Sequence, residues 1–221
     1  MTQCSIRSSV VPIMYVAGSG GHFLSALLRR ARSNFNNTDY GISGYGNCHD
    51  AKIDFGVFGG MESPYQDKID RLKQKILEPN VTYYWPIHFD DIDHLMKEFD
   101  RSIKITYEER DYSELAAIFY VKWGVEGNNT KLPFSAYKFE DILIQYQKSF
   151  YPTTDYGDSI LNISWYELYH ERDIDLIIDK LSNFTGIPVD RFDENFIVYW
   201  RESTAKGLLA VDELNKGNQY S

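Results

Sequence analysis

Three glycines in four residues carry the first chemistry in this chain. Gly18, Gly20 and Gly21 stand between an apolar run, VVPIMYV, and an amphipathic segment, HFLSALLRRA. Val10 to Val16 is β-branched and nearly free of polar side chains, which predicts a short buried strand. Phe23, Leu24, Leu27 and Leu28 then repeat at helical spacing. A strand that turns through glycines into a helix aims several backbone N–H groups at one point. The positive end of the helix dipole adds to them, so Gly18, Ser19, Gly20, Gly21, His22 and Phe23 form a candidate phosphate or sulfate cradle. His22, in the first helical turn, could add a ring nitrogen to a bound anion. The turn is not a Walker A loop, because no lysine follows the glycines. It is not a dinucleotide fingerprint either, because Phe23 stands where the last glycine would be.

A histidine and an arginine stand at other element ends. His88 follows the apolar run VTYYWPI, and a histidine at a strand end suits a general base. Arg110 lies between a third strand and a helix, among Glu108, Glu109 and Asp111. Its fork fits a phosphate, and its acidic neighbours fit a simple ion pair. His49, Asp50, His88 and His94 have no metal-site spacing, so no metal is expected.

The elements that must position these residues alternate between strand and helix. Strands are predicted at 10–16, 81–87, 103–107 and 159–163. Helices are predicted after the glycine turn and at 67–77, 90–99, 113–123, 138–148 and 166–184, the last ended by Gly186 and Pro188. This order implies an α/β fold of three layers, with a mainly parallel sheet between helices. The whole chain, 1–221, reads as a single domain. It carries a long irregular excursion at about 34–66 and a C-terminal tail that frays after the aromatic cluster Phe192, Phe196, Tyr199 and Trp200.

Composition narrows the function. The formal charge is −9, with 23 Lys and Arg against 32 Asp and Glu, so no basic stripe offers itself to nucleic acid. No apolar run is long enough to span a membrane. Two cysteines make no disulfide framework, and the N-terminal residues lack a signal-peptide pattern. Together these predict a cytoplasmic protein.

Four segments in order resemble the sulfotransferase family of the P-loop fold. AGSGGHFLSALL, residues 17–28, is similar to the family's 5′-phosphosulfate loop, typically PKSGTTWL; Ser19, Gly20 and Leu24 match, and Phe23 takes the aromatic place. YYWPIHFDDI, residues 83–92, is similar to the strand that delivers the catalytic histidine, here His88. IKITYEERDYSELAAIFY, residues 103–120, is similar to the segment whose arginine and serine hold the 3′-phosphate; Arg110 matches the arginine, and Glu114 falls on the family's aspartate. Residues 160–188 are similar to the strand and helix ending in phenylalanine-leucine-glycine. The resemblance implies 3′-phosphoadenosine 5′-phosphosulfate as co-substrate and a small-molecule or glycan acceptor.

Three departures stand beside it. Gly18 replaces the family's lysine or arginine, and Ile118 replaces its 3′-phosphate serine. The basic C-terminal loop is approximated only by Arg201 to Gly207, from which Arg201 or Lys206 could fold over the site. These departures leave room for another nucleotide-dependent transferase, or for a non-catalytic binding protein on the same fold.

Overall fold

A computed structural model describes residues 6–15, 19–33, 65–74, 80–87, 91–111, 114–115 and 154–217. The elements are α1 (Ile6–Ser9), β1 (Val10–Met14), α2 (Gly21–Ser33), α3 (Tyr65–Lys73), β2 (Tyr83–Ile87), α4 (Ile92–Glu98) and β3 (Ser102–Thr106). They continue with β4 (Ile160–Ser164), α5 (Trp165–His170), α6 (Ile174–Thr185) and α7 (Glu194–Gly217). The four strands form one sheet in the order β2-β1-β3-β4, and every pairing is parallel. Flanking helices complete the expected α/β arrangement.

Strand β1 is buried at all five residues, as a strand covered on both faces must be. It carries Pro12, which has no N–H for a ladder. The β1–β3 ladder therefore begins only at Ile13, paired with Ile103. The buried Ser102 hydroxyl donates to the Pro12 carbonyl at 3.1 Å, which returns one polar contact to the gap.

Successive strand residues point to opposite faces, and β2 shows which helices lie where. The Tyr84 side chain hydrogen-bonds Thr185 of α6. The next residue, Trp85, meets Phe99 at the end of α4, with ring centroids 6.0 Å apart. So α6 and α4 cover opposite faces. Helix α2 joins α7 through Phe23, which stacks on Trp200 at 4.2 Å and packs on Phe196 at 5.3 Å. Buried apolar residues from all four strands and these helices form one continuous core.

Two sequence expectations are corrected. The helix expected over 166–184 is two helices, α5 and α6. Asp173 starts the second by accepting from the Asp175 N–H, a local bond that competes with an unbroken helix. Gly186 ends α6 as expected, at φ 74°. The tail does not fray after the aromatic cluster: α7 runs through it to Gly217. Phe192, Phe196 and Trp200 anchor it in the core, while Tyr199 is on the outer side at 38% exposure. The predicted helices at 113–123 and 138–148 and the excursion at 34–66 fall largely or wholly outside the described residues.

A lysine lies at the middle of β3. Lys104 is buried, and burial pushes its ammonium down from 10.5 to about 8. Between those two values the unfolded chain holds a proton that the folded chain has released. Stability therefore rises with pH across that window, by on the order of 3 kcal/mol at most. The tyrosines act in the opposite sense. Burial raises Tyr84 and Tyr169 to about 12 and Tyr15 higher still. Above pH 10 the unfolded chain loses protons that the folded chain keeps, and stability falls. Urea unfolding is expected to show stability climbing from pH 8 and turning over near pH 10, and Lys104→Met should remove the climb. A wild-type profile that is flat from pH 8 to 10 would contradict the lysine's shift.

Candidate functional site

The carboxyl ends of the strands define the candidate site. The chain leaves β1 through α2 to β2 on one side of it, then crosses to β3 on the other side, and goes outward to β4. The connections leaving β1 and β3 thus run in opposite directions. In open α/β sheets a ligand crevice forms at such a reversal, outside the carboxyl ends of the two strands. The glycine turn follows one of these strands and Arg110 follows the other.

Gly20 adopts φ 89°, a left-handed conformation that disfavours any side chain. Its carbonyl accepts the Leu24 N–H at 2.9 Å, the first bond of the helical ladder. The N–H groups of the first helical turn come before that ladder has acceptors to offer. Ser19 is buried, His22 is half-buried, and His22 meets the Tyr15 ring edge-on at 5.4 Å. Phe23 points inward onto Trp200, so its side chain belongs to the core and only its backbone could face an anion.

Both described glycines are also required from inside the protein. A Cβ on Gly20 would come within 2.8 Å of the Trp200 ring and 3.3 Å of Leu168. A Cβ on Gly21 would come within 2.1 Å of the Tyr15 ring. The aromatic packing below the turn therefore explains two of the glycines that the sequence assigns to ligand approach. Gly18 lies outside the described residues.

Arg110 belongs to a 3₁₀ turn, Glu109–Asp111, just beyond β3. The buried Asp111 carboxylate accepts the Glu108 N–H at 2.8 Å and fixes the turn. Arg110 is half exposed. Its Nε lies 3.1 Å from a Glu108 carboxylate oxygen, and its guanidinium lies 4.4 Å from the centre of the Tyr166 ring. Helix α5 thus links the two parts of the crevice, with Tyr166 beside Arg110 and Leu168 beside Gly20.

Arg201 has a structural post. Its Nε donates to the Leu168 carbonyl at 3.0 Å, one terminal nitrogen to Glu171 at 2.6 Å, and the other to Glu167 at 3.2 Å. These carbonyls lie at the C-terminal end of α5, where a helix lacks acceptors' partners of its own. Arg201 therefore caps α5 instead of holding a nucleotide. The expected loop from Arg201 to Gly207 is helical, within α7, so neither Arg201 nor Lys206 is on a segment free to fold over the crevice. Lys206 is exposed on that helix.

His88 and Ile118 lie outside the described residues. The structure does place the end of β2 against the end of β1: the Tyr15 N–H donates to the Ile87 carbonyl at 3.3 Å. Asp91 caps α4 through the His94 N–H at 2.9 Å, as a helix-start residue should. Among the described residues no group of three His, Cys, Asp or Glu could hold a metal ion, and no helix is long and apolar enough to cross a membrane.

One pair at this edge was not foreseen. His170 Nε2 lies 2.7 Å from a Glu114 carboxylate oxygen, and the His170 ring stacks near Tyr166 at 5.2 Å. A carboxylate-held histidine that shares the Tyr166 ring with Arg110 has acid–base chemistry available to it. Reading 166–184 as one helix hid this pair, because the break after His170 is what brings the histidine to a helix end. No family model matches the chain, and no curated protein matches it.

Proposed function

We propose that the chain is a transferase of the sulfotransferase type. It would pass a sulfuryl group from 3′-phosphoadenosine 5′-phosphosulfate to a hydroxyl or amine of a small-molecule or glycan acceptor. The observation that carries this reading is the strand–glycine–helix junction at the reversal of strand order, with Arg110 at the end of the adjoining strand. On this reading the amides of Ser19 to Phe23 and the α2 dipole hold the 5′-phosphosulfate, and Arg110 holds the 3′-phosphate. His88 takes the acceptor proton while the acceptor atom bonds to sulfur and the sulfur–phosphate oxygen bond breaks. With glycine at position 18 and Arg201 engaged at α5, charge on the leaving phosphate falls to the α2 amides.

A second reading is a binding protein without chemistry. The internal packing that demands Gly20 and Gly21 favours it, because those glycines then need no ligand. Thermal unfolding separates the two. Saturating 3′-phosphoadenosine 5′-phosphate is expected to raise Tm by about 5–10 °C, the shift for a ligand at a hundred times its Kd. ATP and NAD should do far less. No shift with any of the three would favour the second reading.

Arg110→Ala tests the clamp. It is expected to weaken 3′-phosphoadenosine 5′-phosphate by about 2–3 kcal/mol, the scale for losing charge-assisted hydrogen bonds. Adenosine 5′-phosphate, which lacks the 3′-phosphate, should lose much less by calorimetry. Equal losses would return Arg110 to its ion pair with Glu108 and its place on Tyr166.

A further inference from the structure

We propose that His170 and Glu114 are positioning residues for Arg110, and that through it they set the preference for a 3′-phosphate. The inference rests on the transferase reading above, which gives the 3′-phosphate to Arg110. Three contacts and a short piece of chain close a ring that includes this arginine. The Arg110 guanidinium lies 4.4 Å from the centre of the Tyr166 ring. Tyr166 stacks with His170, one turn later on α5, at 5.2 Å and an interplanar angle of 29°. His170 Nε2 lies 2.7 Å from a Glu114 carboxylate oxygen, and Glu114 leads back along the chain to Arg110. A carboxylate only accepts, so Nε2 carries the hydrogen of this bond.

The ring supplies what the Arg110 turn lacks. Asp111 fixes the backbone of that turn by accepting the Glu108 N–H, but it does not fix the arginine's long side chain. Both ion pairs of Arg110 run through Nε, at 3.1 Å from Glu108 and 3.9 Å from Asp111, so a phosphate would meet the terminal fork. Glu108 shares the guanidinium with any such phosphate. The phosphate therefore gains most when the fork is already held toward it, with no side-chain freedom left to lose.

The platform under Arg110 is anchored through His170. Tyr166 is itself exposed, and its ring is backed by the imidazole. His170 is held from a second side by Tyr169, whose ring meets it edge-on at 4.6 Å. Tyr169 in turn stacks at 5.0 Å on Trp165, which is fully buried. A line of rings thus runs from Arg110 into the core, and the bond to Glu114 ties the chain beyond the Arg110 turn to the same helix. Arg201 closes the carbonyl end of that helix, where His170 stands.

Calorimetry of the full chain with 3′-phosphoadenosine 5′-phosphate and adenosine 5′-phosphate reads the preference for the 3′-phosphate as a ratio of Kd values. His170→Ala is expected to lower that ratio about fivefold, the scale of one partly exposed hydrogen bond, and to leave adenosine 5′-phosphate nearly unaffected. Glu114→Ala should lower it as much. The double variant should lose no more than either single one, because one bond serves both residues. Glu114→Gln, whose amide oxygen still accepts from His170, should keep most of the preference. If His170→Ala fails to fold, the contrast between Glu114→Ala and Glu114→Gln decides. An unchanged ratio in His170→Ala or Glu114→Ala, or equal losses for both nucleotides, would overturn the inference and leave the transferase reading to Arg110→Ala. A fall in turnover with the ratio intact would make His170 a base and overturn its positioning role. A wild type with no preference for the 3′-phosphate would overturn the transferase reading, and the inference with it.

Discussion

Trp200→Ala is expected to destabilise the protein by about 3–5 kcal/mol, the usual range for emptying a large aromatic site in a core. That is a large part of the 5–15 kcal/mol that holds a typical domain together. Trp200 is 2% exposed. It stacks on Phe23 at an interplanar angle of 9° and meets Trp165 and Tyr169 edge-on, each at 5.9 Å. It also lies directly under Gly20. Urea unfolding would measure the loss, and a change below about 1 kcal/mol would mean that the turn does not rest on this ring. A double-mutant cycle sharpens the test. Gly20→Ala in the wild type meets both a positive φ and the Trp200 ring. In the Trp200→Ala background the ring is gone, and the backbone strain, about 1–2 kcal/mol, and the Leu168 contact are left. Additive effects of the two substitutions would contradict the packing described.

His88→Ala is expected to lower turnover by about 10²–10⁴-fold once an acceptor is in hand, and to leave 3′-phosphoadenosine 5′-phosphate affinity nearly unchanged. A base acts on the transition state, so its loss should appear in kcat. The backbone bond from Tyr15 to Ile87 joins the ends of β1 and β2, and His88 is the next residue in the chain. Steady-state kinetics of His88→Ala and His170→Ala, side by side, discriminate between the two histidines. Loss confined to His170→Ala would transfer the role to the histidine held by Glu114. Unchanged rates in both would favour the binding protein.

The junction of β1, the glycine turn and α2 was legible in sequence because each part is local. Buried strands are apolar, positive φ calls for glycine, and amphipathic helices repeat at 3.6 residues. The parallel sheet followed from strands alternating with helices. Arg201 was misread because its role depends on three carbonyls about 30 residues earlier, and a basic residue near glycine has no local mark of a helix cap. Lys104 was passed over within a strand, SIKIT, whose polar and apolar residues alternate. It lines a cavity that exists because Ile92 and the 155–157 turn come together over the sheet, which no spacing rule shows. The tail was read as fraying because its polar content hides an inward stripe at Phe196, Trp200 and Thr204.

The dependence of the glycine turn on Trp200 also bears on the order of folding. The first helix after β1 rests on the long helix near the other end of the chain, and Arg30 of α2 reaches Asp193 across 163 residues of sequence. During synthesis β1 and α2 leave the ribosome long before their support exists. Contacts this distant close late and slowly, because chain entropy must be overcome before they form. Until Trp200 arrives, the ring of Phe23 lacks the partner it stacks on, and exposed apolar surface of this kind leaves the nascent chain open to aggregation.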